Sequence, residues 1–194
     1  MPFHFSNQLP HLSHIWEKYA QLQERLVVPA KTILLSEGQV SKQYIFIEQG
    51  CIRIYINSKD DENTLQFFFE NEGLSAIESF INNSPSQYAI ETIEPCIIHV
   101  LHVRHFMQLL DELARQPDFT RLVIQLMVRR QTHYFNEFAS FIRDTPQQRY
   151  QKLLDEKPEI VQRVAHRYIA SYVGVSAVHL SRIKQKLARG KDHF

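Results

Sequence analysis

This chain of 194 residues is poor in several features, and each scarcity removes a class of protein. Its two cysteines, Cys51 and Cys96, lie far apart in sequence. They are too few and too distant for a disulfide framework or an iron–sulfur or zinc ligand set. No stretch is long and apolar enough to span a bilayer. The opening MPFHFSNQLP has no basic region followed by an apolar run, so it does not read as a signal peptide. A cytoplasmic location is the expectation, with no membrane partner. No His-x-His pair, nucleophile–base motif or glycine-rich phosphate loop occurs. The expectation is therefore a non-enzyme without a cofactor. Neither an internal repeat nor a low-complexity tract is present.

Net charge is also small, at +1, but it conceals an asymmetry. Residues 1–142 carry 11 Lys and Arg against 16 Asp and Glu, a net of −5; residues 143–194 carry 11 against 5, a net of +6. An acidic body with a basic end fits a nucleic-acid module at the C-terminal side. An apolar fraction of 44%, with 13 Phe, is ample for a packed core.

The basic end contains the most specific pattern in the chain. The window His166 to Gln185, HRYIASYVGVSAVHLSRIKQ, fits a helix-turn-helix in one register. Gly174 stands where the turn needs positive φ, and Ala170 where two helices approach closely. Ile169, Val173, Val175, Leu180 and Ile183 are the apolar positions to bury. Ser176 is placed to cap the second helix. Helical spacing then turns Val178, Ser181, Arg182, Gln185 and Lys186 outward, flanked by Ala177 and His179. Ser, Arg and Gln can bond base edges, and Lys and Arg neutralise phosphates. His166, Arg167 and Ser176 complete the expected DNA-binding set. Double-stranded DNA is the expected partner.

Upstream, residues 11–26 read as an amphipathic helix carrying Leu12, Ile15, Trp16 and Tyr19. From Val27 to Val103 short β-rich runs alternate with turn signals, which predicts a barrel, jelly roll or β-roll. NSKDDEN reads as an exposed hairpin tip. The pattern turns helical from Arg104 to about Gln116. A long helix follows, from Asp118 to about Ile142. It is apolar on two sides: Leu122 and Leu126 follow one stripe, and Ile124, Met127, Tyr134 and Phe138 another. Such a helix has two partners, its own β domain and the same helix of a second subunit. Asp144-Thr145-Pro146 reads as a hinge. The expected organisation is a β-roll with flanking helices over 1–116, a dimerisation helix over 117–143 and a DNA-binding domain over 144–194.

This order of parts resembles the cyclic-AMP receptor protein and fumarate–nitrate regulator (Crp/Fnr) family over nearly the whole chain. Gly38 in SEG, Gly50 in YIFIEQG before CIRIYI, and Asp144 after the long helix carry the likeness. The resemblance implies an α+β fold: an N-terminal β-roll like the cyclic-nucleotide-binding jelly roll, the long helix, and a winged-helix-like helix-turn-helix. The sequence after Gly190 leaves the wing short or absent. It implies a homodimeric transcription factor on a near-palindromic site, with RNA polymerase as a further partner and a small effector between β-roll and long helix.

The family's nucleotide cassette pairs a Glu for the ribose with an Arg and a Ser or Thr for the phosphate. In the matching stretch Ala76 falls where the Glu should be, and Gln87 and Tyr88 fall where the dyad should be. An offset makes Glu78 the carboxylate, without a nearby Arg. A buried cyclic phosphate without a cation is costly, so control by cyclic AMP is not expected. Phe67, Phe69, Phe80 and Tyr88 are expected either to line a pocket for another ligand or to fill it, with Ala76, Glu78 and Gln87 around it. With 96–103 read as a strand, His99 and His102 point to opposite faces, which disfavours a metal shared by His99, His102 and His105. The alternative function is a ligand-sensing or cupin-like β-roll acting through another ligand or protein partners.

Overall fold

The computed structural model describes residues 9–58 and 61–191. A 3-10 turn, Pro10–Leu12, leads into α1, Ser13–Ala20. Eight strands follow: β1 Glu24–Val28, β2 Ile33–Leu35, β3 Gln43–Gln49, β4 Ile52–Asn57, β5 Glu62–Phe68, β6 Gly73–Leu74, β7 Ala89–Thr92 and β8 Cys96–His102. A short helix, α2, Ile77–Asn82, is inserted between β6 and β7. The strands form two antiparallel sheets, ordered β1-β8-β3-β6 and β2-β7-β4-β5, packed face to face as a jelly roll. The helix expected over 11–26 stops at Ala20, and Glu24–Val28 pairs with β8 instead. β4 and β5 form the expected hairpin, Asn57 opposite Glu62. Lys59 and Asp60 of its tip lie outside the described residues, as do residues 192–194 beyond Gly190.

The core follows from strand alternation. Ile52, Ile54, Phe68, Leu74, Ile90 and Ile98 point between the sheets. The cross-strand pair Ile52 and Phe68 faces inward, so its neighbours Arg53 and Phe67, also a register pair, face outward. That outward face is covered by the C-terminal helices.

The helical part begins with α3, Val103–Leu113, which packs with α1 around Trp16, Leu109 and Leu113. The long helix α4, Pro117–Arg143, starts on that cluster through buried Phe119. Beyond it little of α4 is covered. Ile124, Met127 and Phe138 are 59%, 65% and 66% exposed, and Phe135 is 65% exposed. Leu122 and Leu126 are half-buried. Tyr134 departs from the expected stripe: its hydroxyl donates to Gln66 Oε1 at 2.9 Å, which turns it toward β5. A proline at its N-terminus then starts each of α5, Pro146–Glu156, and α6, Pro158–Arg163. Thr145 and Gln148 close a reciprocal capping box on α5. α7, His166–Val173, and α8, Ala177–Lys191, complete the chain.

The C-terminal helices are docked on the β4–β5 face around one buried cation. Arg53 is 1% exposed, and its guanidinium lies between the rings of Tyr55 and Tyr168 at 4.1 and 4.0 Å. It donates to Glu91 at 2.7 Å and to Glu62. Ser171 of α7 adds two bonds to β5, accepting from Thr64 N–H and donating to Glu62 O. Phe67 packs on Tyr172 at 5.3 Å. Removing one partner of a buried pair strands the other, which costs about 3–5 kcal/mol. Arg53→Ala is therefore expected to lower unfolding stability by about that amount, because Glu91 is buried beside it. Pairing Arg53→Met with Glu91→Gln should recover most of the loss in urea denaturation.

Candidate nucleic-acid interface

The turn between α7 and α8 is built as its sequence requires. Gly174 has φ +77°, and a Cβ there would meet the Phe141 ring at 2.9 Å. Val175 N–H bonds Ala170 O and Gly174 N–H bonds Ser171 O, the paired closure of a Schellman motif. Ser176 Oγ accepts from His179 N–H at 3.2 Å and caps α8. Ile169, Ala170, Val173, Leu180 and Ile183 are buried in one cluster, with Val175 packed on it.

The opposite face of α8 is open. Ala177, Val178, His179, Ser181, Arg182, Gln185 and Lys186 are all exposed, as is Ser176. The structure thus brings eight of the ten expected residues onto one surface. His166 and Arg167 do other things. His166 Nε2 lies 2.9 Å from Ala177 O and 3.2 Å from Ser181 Oγ. Arg167 folds over the Tyr168 ring at 4.4 Å, beside the cleft to the β4–β5 hairpin.

A groove beside α8 was not visible in the sequence. Its other wall is the start of α5, so Thr145, Gln147 and Gln148 face His179, Arg182 and Lys186. Basic side chains opposite a helix N-terminus make a surface suited to a phosphate. The Asp-Thr-Pro sequence signalled a break, but not that the break would stand beside α8.

Arg149 locks this unit to the end of α4. It donates to Asp144 O and Val173 O at 2.7 and 2.9 Å and stacks on Phe141. Arg163 of α6 donates to Glu70 and Glu94 of the β-roll.

The seven expected pocket residues do not gather. Phe67 and Phe69 face the C-terminal helices, because Phe68 takes the inward position between them. Ala76 is buried just before α2, while Glu78 and Gln87 are exposed. Phe80 stacks edge-on with Tyr44 and Phe106, which are themselves stacked at 4.0 Å. Tyr88 packs half-buried against the roll's core. Arg130 of α4 lies over the Phe68 ring at 5.9 Å and donates to Tyr134. Burial pushes the Tyr44 phenol up to about 12, opposed by Arg130.

Of the three histidines, His102 and His105 set their rings edge-on at 6.5 Å, and His99 is engaged elsewhere. His99 pairs with Glu48 at 2.7 Å, His102 caps α3 through Nδ1, and His105 Nδ1 is buried without a hydrogen-bond partner among the described residues. Cys51 and Cys96 are buried thiols, and burial pushes Cys96 up to about 11.

Residues 25–112 match the family model described as cyclic nucleotide-binding domain. No curated protein matches the chain by sequence. Among solved structures, the chain is similar to the c-di-GMP-responsive global regulator CLP of Xanthomonas campestris. The two are 19% identical with a TM-score of 0.71, over 92% of this chain and 93% of that one. FixK2 of Bradyrhizobium japonicum is 14% identical with a TM-score of 0.69, over 87% and 86%. The catabolite activator protein of Thermus thermophilus is 16% identical with a TM-score of 0.54, over 92% and 84%.

One contact between the two parts is sensitive to acid. Bonds from Arg163 hold the Glu70 carboxyl at about 2, well below its ordinary 4.5, and Gly50 N–H adds to the effect. A depressed carboxyl stabilises the fold above the unfolded value and loses that contribution as pH falls through the folded value. Stability is therefore expected to fall between about pH 4.5 and 2, and Arg163→Gln to flatten that part of an acid-unfolding profile.

Proposed function

We propose that this chain, a cyclic-nucleotide-binding-domain protein with the fold of Crp/Fnr-type regulators, is a sequence-specific DNA-binding transcriptional regulator rather than an enzyme. It acts as a homodimer on a near-palindromic site, with RNA polymerase as a further partner and without control by cyclic AMP. The observation that carries this reading is the open face of α8: apolar and small at its N-terminal end, basic toward its C-terminal end, on a firmly capped helix-turn-helix. The N-terminal end is the one that enters a major groove in this motif. The groove between α5 and α8 supports it, offering a place for a flanking phosphate.

The homodimer is supported by α4. A row of apolar side chains more than half exposed, on a helix of 27 residues, calls for a partner. Two reader helices must stand about 34 Å apart to meet successive major grooves, and a two-fold partner supplies the second.

Independence of cyclic AMP is supported by Ala76, Gln87 and Tyr88, which offer neither a ribose carboxylate nor a phosphate cation. Arg130 is engaged by Tyr134 and Phe68, and Tyr44, Phe80 and Phe106 pack on one another. That packing of aromatic side chains favours regulation by abundance over regulation by a bound nucleotide.

Selection of bound DNA from a random pool tests the function, and enrichment of a palindrome is the expected result. Arg182→Ala should then cost about 1–3 kcal/mol on the selected site and relax one position. An equal loss on random DNA would make Arg182 a phosphate contact only. Met127→Asp should give a monomer by sedimentation, with unchanged β-sheet circular dichroism and no binding to the palindrome; a monomeric wild type sinks the dimer. Calorimetric titration with cyclic AMP or cyclic GMP should show no micromolar binding, which would correspond to about 8 kcal/mol.

A further inference from the structure

We infer that His166 is a positioning residue of the reader helix, one that makes Ser181 a hydrogen-bond donor toward the base it meets. The inference rests on the DNA-reading function proposed above and assigns one element of its specificity. His166 opens α7, and Ala177 opens α8. Its Nε2 approaches the Ala177 carbonyl oxygen at 2.9 Å. A carbonyl oxygen only accepts, so the bond exists only when Nε2 carries the proton. One ring thereby ties the first turn of the reader helix to the first turn of its supporting helix.

The same nitrogen lies 3.2 Å from Ser181 Oγ, one turn further along α8. Because Nε2 is already a donor, the serine oxygen takes the accepting role in that contact. The hydroxyl proton is then free to point outward. A serine held this way offers a donor to the groove, which suits the acceptor edges there: purine N7, guanine O6 and thymine O4. The cytosine amino group, itself a donor, is disfavoured opposite it. His166 need not touch DNA for this effect.

The test combines a readout that needs no DNA with one that does. Nitrogen-15 NMR of the ring in the full chain should show a protonated Nε2 in slow exchange with water. For DNA, wild type, His166→Ala, His166→Gln and Ser181→Ala are each carried through random-pool selection and titration. His166→Ala should weaken binding to the selected site about tenfold, as expected for one hydrogen bond's worth of positioning. Binding to random DNA and the salt dependence should stay as in wild type. The relaxed base position should be the one that Ser181→Ala relaxes, and the double variant should lose little more than either single one. His166→Gln, whose amide can donate to the same carbonyl, should restore most of the preference.

A loss shared equally by selected and random DNA, with the salt slope reduced by about one, would make His166 a phosphate contact and overturn the inference. So would relaxation at a position that Ser181→Ala leaves unchanged. An unprotonated Nε2 would overturn the inference as a whole, because the ring could not donate to Ala177 O and the Ser181 hydroxyl would donate to the ring instead of to a base. A wild type that enriches no sequence, with Nε2 protonated, would overturn the regulator function and Ser181's role while leaving the brace standing.

Discussion

Everything C-terminal to the long helix depends on how one buried charge is satisfied. A guanidinium taken out of water must find carboxylates, hydrogen-bond acceptors or aromatic faces to replace it. Arg53 projects from the outer face of β4, where the β-roll alone supplies Tyr55, Glu62 and Glu91. The remaining face is closed by Tyr168, from the first helix of the helix-turn-helix. The β-roll therefore has a surface that only the C-terminal helices complete. The bonds of Ser171 and Arg163 are arranged around that centre, as is the packing of Phe67 against Tyr172.

The same outward face explains where sequence reasoning stopped. Strand alternation correctly predicts that neighbouring residues point to opposite sides, but it cannot say what covers the outer side. Phe67 and Phe69 look like pocket lining because aromatic residues on a β-roll suggest an interior. They are instead an interdomain floor, and Phe68 is the interior residue. Arg130 was invisible for a related reason. It sits 42 positions beyond Tyr88 on another element, so only the path of α4 brings a cation to that end of the roll. The start of β1 was misread because Leu22 and Leu26 continue the helical spacing of α1, although neither is fully buried. The jelly roll as a class was legible, since turn-bounded β-rich runs at short intervals leave few alternatives.

The helix-turn-helix was legible almost residue by residue, because its constraints are local. Positive φ selects Gly174, close helix approach selects Ala170, and an exposed helix start selects Ser176. His166 was assigned to the DNA surface because its place in the motif is visible but its bond to Ala177 is not. For α4, two-sidedness was legible and the division of sides was only partly so. Tyr134 shares the spacing of Met127 and Phe138, yet its hydroxyl is drawn to Gln66.

The contact between Gly174 and Phe141 has a mechanical consequence. The turn between α7 and α8 leaves room only for the edge of a ring that belongs to the last turn of α4, and Arg149 stacks on that ring while bonding Val173 O at the end of α7 and Asp144 O at the end of α4. The joint thus behaves less like a loose tether than like a crank pin. A helix of 27 residues is about 40 Å long, so a slight rotation of this shaft about its own axis would be delivered to the reading turn as a swing rather than absorbed on the way. In a two-fold pair both swings would occur together, related by the rotation axis, and the gap between the two copies of α8 would change by twice the component of either stroke along the line that joins them.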